Sequence, residues 1–260
     1  MRFIYPLRIR HWIFSRFVAQ TRLWPNTKGH AHKLLFAPTA LAVLSRSDYG
    51  HRHIAWMGFY ELPLTRMITK LARQEGGIMV DVGANAGYFS CLWVASSGHN
   101  TSLAFEASPR NYGMIRDNVV SAGLRERIQL FDFAIGASAG AMTFDLGPDE
   151  QTGWGGLSLA QDSNTVTVDV RKLDDVLPPD AIVQVLKIDT EGADTWVLEG
   201  ARKLLTEKRV RHVFFERNEV RMKQLGIEFS AAERLLETCG YSVSPLPGQR
   251  QKDEFYAVPS

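Results

Sequence analysis

Short apolar runs alternate along this chain with segments whose apolar positions recur every three or four residues. The apolar runs are Ile78–Val82, Leu103–Ala107, Ile128–Ala134, Ile182–Ile188 and Arg211–Arg217. The helix-periodic segments are Leu64–Arg73, Tyr88–Ser97, Ser108–Ala122 and Asp194–Leu205. Strands that alternate with helices are typical of α/β folds with a parallel sheet. Two further strands, Tyr241–Leu246 and Glu254–Val258, form a predicted antiparallel closing pair. We therefore predict a doubly wound, mostly parallel seven-stranded sheet with helices on both faces, preceded by a helical N-terminal extension.

Residues 135–181 have a different pattern, because apolar and polar positions alternate there as in half-exposed strands. The alternation covers Ala141–Leu146 and Thr165–Val170. The stretch Gln151–Leu159 between them contains three glycines around Trp154. We interpret this region as a β-rich insertion that carries a mobile substrate loop, with a long hairpin and a packed Trp154 as the alternative.

The turn after the first predicted strand is rich in small residues and precedes a helix, which is where open α/β sheets bind ligands. It reads Asp81-Val-Gly83-Ala-Asn85-Ala-Gly87. Position 85 is Asn and position 88 is Tyr, so the glycine spacing of dinucleotide-binding loops is absent. The Gly-Lys-Ser/Thr of phosphate loops is also absent. The turn instead resembles the first motif of class I S-adenosylmethionine (SAM) methyltransferases, in which this loop lies under the methionine part of the cofactor.

Acidic residues stand at the ends of three predicted strands, on the same edge of the sheet. Glu106 ends the second strand, 23 residues after Gly83, where such folds place a carboxylate for the ribose hydroxyls. Asp189 and Glu191 follow the most apolar strand, and buried carboxylates at such a position need a partner or a function. By analogy with the class I methyltransferase fold, we expect Asp132 and Phe133, at the end of the third strand, to meet the adenine; a core strand with a surface Asp is the alternative.

Several motifs occur together in the order found in the FkbM family of SAM-dependent methyltransferases, which this chain resembles. They are Gly58-x-Tyr60-Glu61, Asp81–Tyr88, Phe105-Glu106-Ala107-x-Pro109, Ala134-Ile-Gly136, Leu173–Val176, Lys187-Ile-Asp189-Thr-Glu191-Gly192 and Phe215-Glu216. The resemblance implies a class I fold, SAM as the cofactor, and transfer of a methyl group to a hydroxyl of a sugar, glycan or other natural product. It leaves the acceptor unnamed.

The motifs and the fold together give three sets of expected site residues. Those for the cofactor are Glu61, Asp81, Gly83, Asn85, Ala86, Gly87, Tyr88, Phe89, Glu106, Ala107, Asp132, Phe133 and Asp189. Those for catalysis are Asp189 and Glu191 as base or acceptor-positioning groups, with Lys187 tuning them. Those for the acceptor are Tyr60, Trp154, Glu216 and His53. We expect no metal; convergence of Asp189, Glu191 and Glu216 on Mg²⁺ is the alternative.

The charge of the chain is unevenly distributed. Residues 1–60 hold nine Lys and Arg residues and one acidic residue, whereas residues 61–260 hold 21 basic and 27 acidic residues. We divide the chain there, into a basic, aromatic-rich extension or cap at 1–60 and a methyltransferase domain at 61–260. Residues 1–24 could bind a membrane surface weakly, although docking of a helical cap on the acidic body is favoured.

Other sequence features favour a cytoplasmic enzyme. Arg residues interrupt the N-terminal apolar run, so it lacks the core of a signal peptide, and nowhere do about 20 apolar residues form a membrane span. Neither Cys91 nor Cys239 has metal-ligand spacing. We expect a small-molecule or glycan substrate and no nucleic acid. The alternatives are an N-methyltransferase on the same fold, a peripheral membrane or nucleic-acid-binding protein that uses the basic N-terminus, and a nicotinamide oxidoreductase, which the glycine spacing disfavours.

Overall fold

The computed structural model describes residues 7–18, 31–249 and 253–260. Its α-helices are α1 Leu7–Ile13, α2 Tyr49–Met57, α3 Leu62–Gln74, α4 Tyr88–Ser96, α5 Pro109–Ser121, α6 Leu173–Val176, α7 Asp194–Gly200, α8 Arg202–Thr206, α9 Glu219–Gln224 and α10 Ala231–Thr238. Its strands are β1 His32–Lys33, β2 Ala40–Leu41, β3 Ile78–Val82, β4 Thr101–Phe105, β5 Ile128–Phe131, β6 Ala134–Ile135, β7 Gly140–Asp145, β8 Gly156–Ser158, β9 Thr165–Arg171, β10 Val183–Ile188, β11 Val210–Glu216, β12 Tyr241–Pro245 and β13 Glu254–Pro259. A π-helix, Phe14–Val18, continues α1, and a 3₁₀ turn covers Thr152–Trp154.

The main sheet has seven strands in the order β12-β13-β11-β10-β3-β4-β5. Neighbours from β11 to β5 pair in parallel, whereas β13 is antiparallel to β11 and β12 is antiparallel to β13. The predicted mostly parallel seven-stranded sheet and its closing antiparallel pair are therefore confirmed. The direction of strand addition reverses between β3 and β10, so the switch point of the sheet lies between these two strands.

Helices cover both faces of this sheet. On β3, Met79 packs in a cluster with Ile68 of α3 and Leu92 of α4. Its neighbour Val80 packs on the other face with Leu198 of α7. Successive side chains of a strand point to opposite faces, so β3 contributes to both halves of the core. A strand buried on both sides explains why the sequence there is a continuous apolar run.

The segment between β5 and β10 forms a second, four-stranded sheet in the order β6-β9-β7-β8. β7 and β9 coincide with the two alternating segments of the sequence and pair antiparallel over Gly140–Asp145 and Thr165–Val170. Phe144 and Val168 from this sheet pack against Met222 of α9. The residues that join β7 to β8 therefore lie beside the carboxyl ends of the main sheet. The division of the chain at residues 60 and 61 stays a prediction.

Helix α1 docks on helix α2 through Arg10, which is 6% exposed. Its Nη2 donates to the carbonyl oxygens of Trp56 and Met57, each at 2.8 Å. A cation at the C-terminal carbonyls of a helix is favourable. Arg10 is thus used within the chain, where it joins α1 to the end of α2. Residues 1–6 and 19–24 of the segment considered for membrane binding lie outside the described residues. Within the part of the chain that the structure describes, no helix is both long and apolar enough to cross a bilayer.

His51 and His53 lie on a helix and not on an extended strand. Both belong to α2, which Asp48 caps by accepting a hydrogen bond from the His51 N–H and which ends at the left-handed Gly58. Side chains two positions apart on a helix point in different directions. His51 therefore faces the glycine turn after β3, whereas His53 faces Phe59.

Candidate active site

The turn after β3 owes its glycines to contacts within the chain. A Cβ on Gly83, whose φ is +77°, would lie 1.9 Å from the carbonyl oxygen of Asp189. A Cβ on Gly87, whose φ is +80°, would lie 2.8 Å from Cγ1 of Ile115 on α5. The missing Cβ atoms thus bring the end of β10 and α5 against the turn, and these contacts fix the position of the loop.

Glu106 is held at the end of β4 by two backbone donors. Asn85 N–H donates to its Oε2 at 2.7 Å and Ser108 N–H donates to its Oε1 at 2.8 Å. Burial raises the pKa of Glu106 to about 7, although these hydrogen bonds oppose that shift. Each carboxylate oxygen can accept more than one hydrogen bond. Glu106 therefore keeps acceptor capacity toward the cavity that it lines.

A first cavity of about 600 Å³ opens beside Glu106 at the ends of β3, β4 and β5. Of the expected cofactor residues, Gly83, Asn85, Glu106, Ala107, Phe133 and Asp189 line it. Asn111 also lines it, and the Oδ1 of Asn111 is buried without a hydrogen-bond partner among the described residues. A buried acceptor that lacks a donor is costly unless a ligand or water supplies one. The cavity thus combines apolar walls, a carboxylate and an unpaired amide oxygen, which suits a nucleoside.

A second cavity of about 780 Å³ adjoins the first, and both are lined by Gly83, Asn85, Gly153 and Asp189. The other expected site residues that line the second cavity are Tyr60, Glu61, Ala86, Tyr88, Phe89, Trp154, Lys187, Glu191 and Glu216. The structure therefore brings together residues from α2 to β11 around one junction, next to the switch point of the main sheet.

Four expected site residues line neither cavity. Asp132 is exposed on the loop after β5. Gly87 faces Ile115, and Asp81 is fully buried behind the turn, where it accepts a hydrogen bond from Ser90 Oγ at 2.7 Å. His53 lines an adjoining groove, and its Nδ1 lies 3.0 Å from the carbonyl oxygen of Phe59. Burial lowers the pKa of His53 to about 4, so it is neutral near pH 7.

Lys187 lies in the middle of an ion cluster at the end of β10. Asp81 and Lys187 are directly opposite each other on β3 and β10, and their charged atoms are 3.4 Å apart. Lys187 Nζ also donates to Asp189 Oδ2 and to the carbonyl oxygen of Gly83, each at 3.2 Å. Burial alone lowers the pKa of Lys187, but attraction to Asp189, Asp81 and Glu61 outweighs it and raises that pKa. Lys187 thus stays charged and ties Asp189 to the glycine turn.

The second cavity carries more carboxyl groups than cations. Burial, then repulsion by Asp189, raises the pKa of Glu191 to about 8 and that of Glu216 to about 10. The same causes raise the pKa of Glu61 well above its ordinary value. These groups hold protons near neutral pH until a cation enters. Across the described ranges, no group of three or more His, Cys, Asp or Glu residues is placed to hold a metal ion.

Glu191 is one of the few non-glycine residues of the site with a positive φ. Its φ is +53°, and Asn218 Nδ2 donates to its Oε2 at 2.7 Å. Gly192 follows at φ +88°, and a Cβ there would lie 2.7 Å from the Cβ of Arg221. The Glu191-Gly192 pair therefore forms a sharp turn pressed against α9, which aims Glu191 into the second cavity.

Sequence reasoning missed Asp48 and His51, which lie at the start of α2 and belong to this site. Asp48 and His51 are both 2% exposed, and both line the second cavity. Asp48 Oδ2 accepts hydrogen bonds from the N–H and Oγ1 of Thr152, at 2.6 and 2.9 Å. An Asp three residues before a helical N–H is a capping signal, which could have located the start of α2. Nothing local to residues 48–51 indicates a contact with residue 152.

Comparison with known proteins gives the family. The family model of the FkbM methyltransferase domain matches residues 81–243, which is more than half of the chain. Among curated proteins, the 2-O-methyltransferase NoeI of Sinorhizobium fredii is 24% identical over 181 residues, which cover 63% of this chain and 73% of NoeI.

Solved structures with a similar fold are more distant. The precorrin-6y C5,15-methyltransferase of Geobacter metallireducens is 17% identical, with a TM-score of 0.43 over 75% of this chain and 86% of that one. A SAM-dependent O-methyltransferase of Thermotoga maritima is 11% identical, with a TM-score of 0.45 over 77% of this chain and 66% of that one. The matched region spans most of the main sheet, with the strand ends that carry Glu106 and Asp189. The chain therefore belongs to the FkbM family and is a SAM-dependent methyltransferase with the class I α/β fold.

Proposed function

We propose that this protein transfers the methyl group of SAM to a hydroxyl group of a sugar, a glycan or another polyhydroxylated small molecule. The observation that carries this proposal is the junction of the two cavities at Gly83, Asn85 and Asp189. One cavity suits a nucleoside and the other is lined by carboxyl groups, so the methyl group would pass from cofactor to acceptor at their junction.

The residues of the first cavity fit SAM. Glu106 would accept the ribose hydroxyls, while Phe133 and Ala107 would contact the adenine side, and Asn111 Oδ1 offers an unused acceptor nearby. The glycine turn would hold the methionine part. SAM supplies a methyl group that is already activated as part of a sulfonium cation. The carboxyl groups around Asp189, which lose their protons when a cation enters, favour that positive charge, because opposite charges attract strongly where water is excluded.

Asp189 is the group that we assign to the acceptor hydroxyl. Its Oδ2 is held by Lys187, and among the described residues nothing donates to its Oδ1. A carboxylate held in place can accept the hydroxyl hydrogen, orient the oxygen toward the methyl group and take the proton as the new bond forms. Glu191 and Glu216 would hydrogen-bond neighbouring hydroxyls of a polyol. Since most charged groups of this cavity are acidic, we expect anionic acceptors to bind poorly.

An amine acceptor is the second candidate, because a carboxyl-lined cavity also attracts an ammonium group. Membrane or nucleic-acid binding through the N-terminus gains no support, since Arg10 is buried against α2. The cytoplasmic location and the absence of a nucleic-acid partner stay predictions.

The test begins with calorimetric titration of the protein with S-adenosylhomocysteine. The formation of this product from SAM is then followed with a panel of neutral sugars, amino sugars, other polyols and sugar phosphates. We expect turnover with neutral polyols and little with the phosphates. Failure to bind S-adenosylhomocysteine would contradict the proposal, and turnover restricted to amines would replace hydroxyl with nitrogen transfer.

Asp189→Asn tests the assignment of the base. We expect it to keep S-adenosylhomocysteine binding but to lose methyl transfer by about a hundred-fold or more, because an amide cannot take the proton. Asp149→Asn is the matched control, since the Asp149 side chain is 79% exposed and paired only with Arg110 among the described residues. Full activity in Asp189→Asn would remove the assignment.

A further inference from the structure

A buried hydrogen-bonded chain connects helix α2 to the glycine turn. Asp48 Oδ1 accepts from the His51 N–H at 2.8 Å, and the Nε2 of His51 lies 3.0 Å from the Oδ1 of Asn85. His51 and Asp48 are each 2% exposed. They lie outside residues 81–243, the region matched by the family model.

The surroundings of His51 determine which of its nitrogens carries the proton. The backbone N–H of Ser45 donates to Nδ1 at 3.2 Å, so Nδ1 must present a lone pair. Burial lowers the pKa of His51, although Asp48 opposes this, so the ring is neutral near pH 7. The single ring proton therefore lies on Nε2, and His51 donates it to the amide oxygen of Asn85. A donor at this position fixes which end of the Asn85 amide faces α2.

Asn85 occupies the junction between the two cavities. Its φ is +50°, its N–H donates to Glu106 Oε2 at 2.7 Å, and its side chain lines both cavities. With Oδ1 bonded to His51, the NH₂ group points the other way, and Nδ2 lies 3.1 Å from where a Cβ on Gly153 would be. Asn85 thus presents two N–H donors to the junction, beside Gly83 and Asp189.

Asp48 extends the same chain to the 3₁₀ turn. Its Oδ2 binds both donors of Thr152, and the Thr152 carbonyl oxygen accepts from Asn111 Nδ2 at 3.3 Å. The residues on either side of Thr152 line the second cavity, and Gly153 lines both. One carboxylate therefore holds the 3₁₀ turn and the helical turn that carries His51 in a fixed relation to each other.

We propose that His51 is a positioning residue for methyl transfer, which orients the Asn85 amide so that its N–H donors face the junction where cofactor and acceptor meet. Asp48 holds His51 and the 3₁₀ turn together around that junction. The proposal rests on the proposed function, because Asn85 is then a ligand of the methionine part of the cofactor. In this role His51 acts through Asn85, whose amide it orients, and not as an acid or base on the reacting atoms.

A double-mutant cycle tests this role, with S-adenosylhomocysteine affinity measured by calorimetry as the readout. His51→Phe keeps a ring of similar size but removes the donor. Asn85→Gly removes the amide, and glycine accepts the positive φ. We expect His51→Phe to weaken binding by about ten-fold, because the amide oxygen loses its donor and the group can reorient. In the Asn85→Gly background, the same change should alter affinity by no more than about two-fold.

Each outcome of the cycle decides the proposal. An equal loss in both backgrounds would show that His51 is only structural, and an unchanged affinity in His51→Phe would also overturn its role. His51→Gln, which keeps a donor, should recover most of the affinity. If the phenylalanine variant does not fold, His51→Met is the second donor-free variant in the same cycle. If the unsubstituted protein does not bind S-adenosylhomocysteine, the proposed function fails instead.

Discussion

Replacing Lys187 with methionine should lower the free energy of unfolding by about 3–5 kcal/mol, because it leaves a buried carboxylate without its counter-ion. Asp81 is fully buried, and the Lys187 side chain is 4% exposed. Methionine matches the length of the apolar part of lysine, so the substitution removes the charge and its hydrogen bonds while leaving little empty space. Among the described residues, the hydrogen bond from Ser90 is the interaction with a side chain that Asp81 would keep.

The magnitude follows from the geometry of the pair. Lys187 Nζ lies 3.4 Å from Asp81 Oδ1 and 3.2 Å from Asp189 Oδ2. With an effective dielectric constant of about 20, one such pair contributes roughly 5 kcal/mol of attraction, part of which offsets desolvation of the two charges. Removing one partner forfeits the attraction but leaves the desolvation of the other, which is why the expected loss is large.

Urea denaturation followed by circular dichroism measures this loss from the shift in midpoint at constant slope. Lys203→Met is the control, since Lys203 is exposed on α8, and its loss should stay below about 0.5 kcal/mol. Adding Asp81→Asn to Lys187→Met should recover part of the stability, because the uncompensated charge is gone. A loss below about 1 kcal/mol for Lys187→Met, or no recovery in the double variant, would refute the view that this buried pair holds β3 against β10.

Three further outcomes follow from the site. Gly83→Ala should destabilise the fold by about 3 kcal/mol or more, because its Cβ would lie 1.9 Å from a carbonyl oxygen. Gly123→Ala is the control and should cost only about 1 kcal/mol, since Gly123 has a φ of +69° but no described atom lies within 4 Å of its added Cβ. Equal losses of the two variants in urea denaturation would contradict this. Burial raises the pKa of Glu106 to about 7, so its carboxylate ionises between pH 6 and pH 8 and can then accept the ribose hydroxyls. S-adenosylhomocysteine should therefore bind up to roughly ten-fold more tightly at pH 8 than at pH 6 in calorimetric titrations. Glu106→Gln should remove this pH dependence of affinity, and an unchanged pH dependence would exclude Glu106 as its cause. Thr152→Val removes the hydroxyl that donates to Asp48, so it should lower the free energy of unfolding by about 1 kcal/mol and speed amide hydrogen exchange across residues 147–156. Thr152→Ser keeps a hydroxyl and should change neither. Identical exchange rates in the two variants would show that the bond to Asp48 does not hold this segment.

The sequence alone determined the class of fold. Runs such as Ile182–Ile188 are too apolar for a strand with an exposed face, and helix-periodic segments separate them, so a buried parallel sheet was the remaining arrangement. The same local signals placed Asp81, Glu106 and Asp189 at strand ends. Parallel strands put all their carboxyl ends on one edge, which is why Glu106 and Asp189 could be expected at one site although they are far apart in the sequence.

Only the tertiary structure decided how that site is built. The pairing of Asp81 with Lys187 depends on the register between β3 and β10, which no local pattern specifies. The bonds from Asp48 to Thr152 and from His51 to Asn85 span 104 and 34 residues and join elements that are separate in the sequence. Local periodicity reports which face of an element is apolar, but a contact between two polar side chains depends on where both elements pack, and that is set by the whole core.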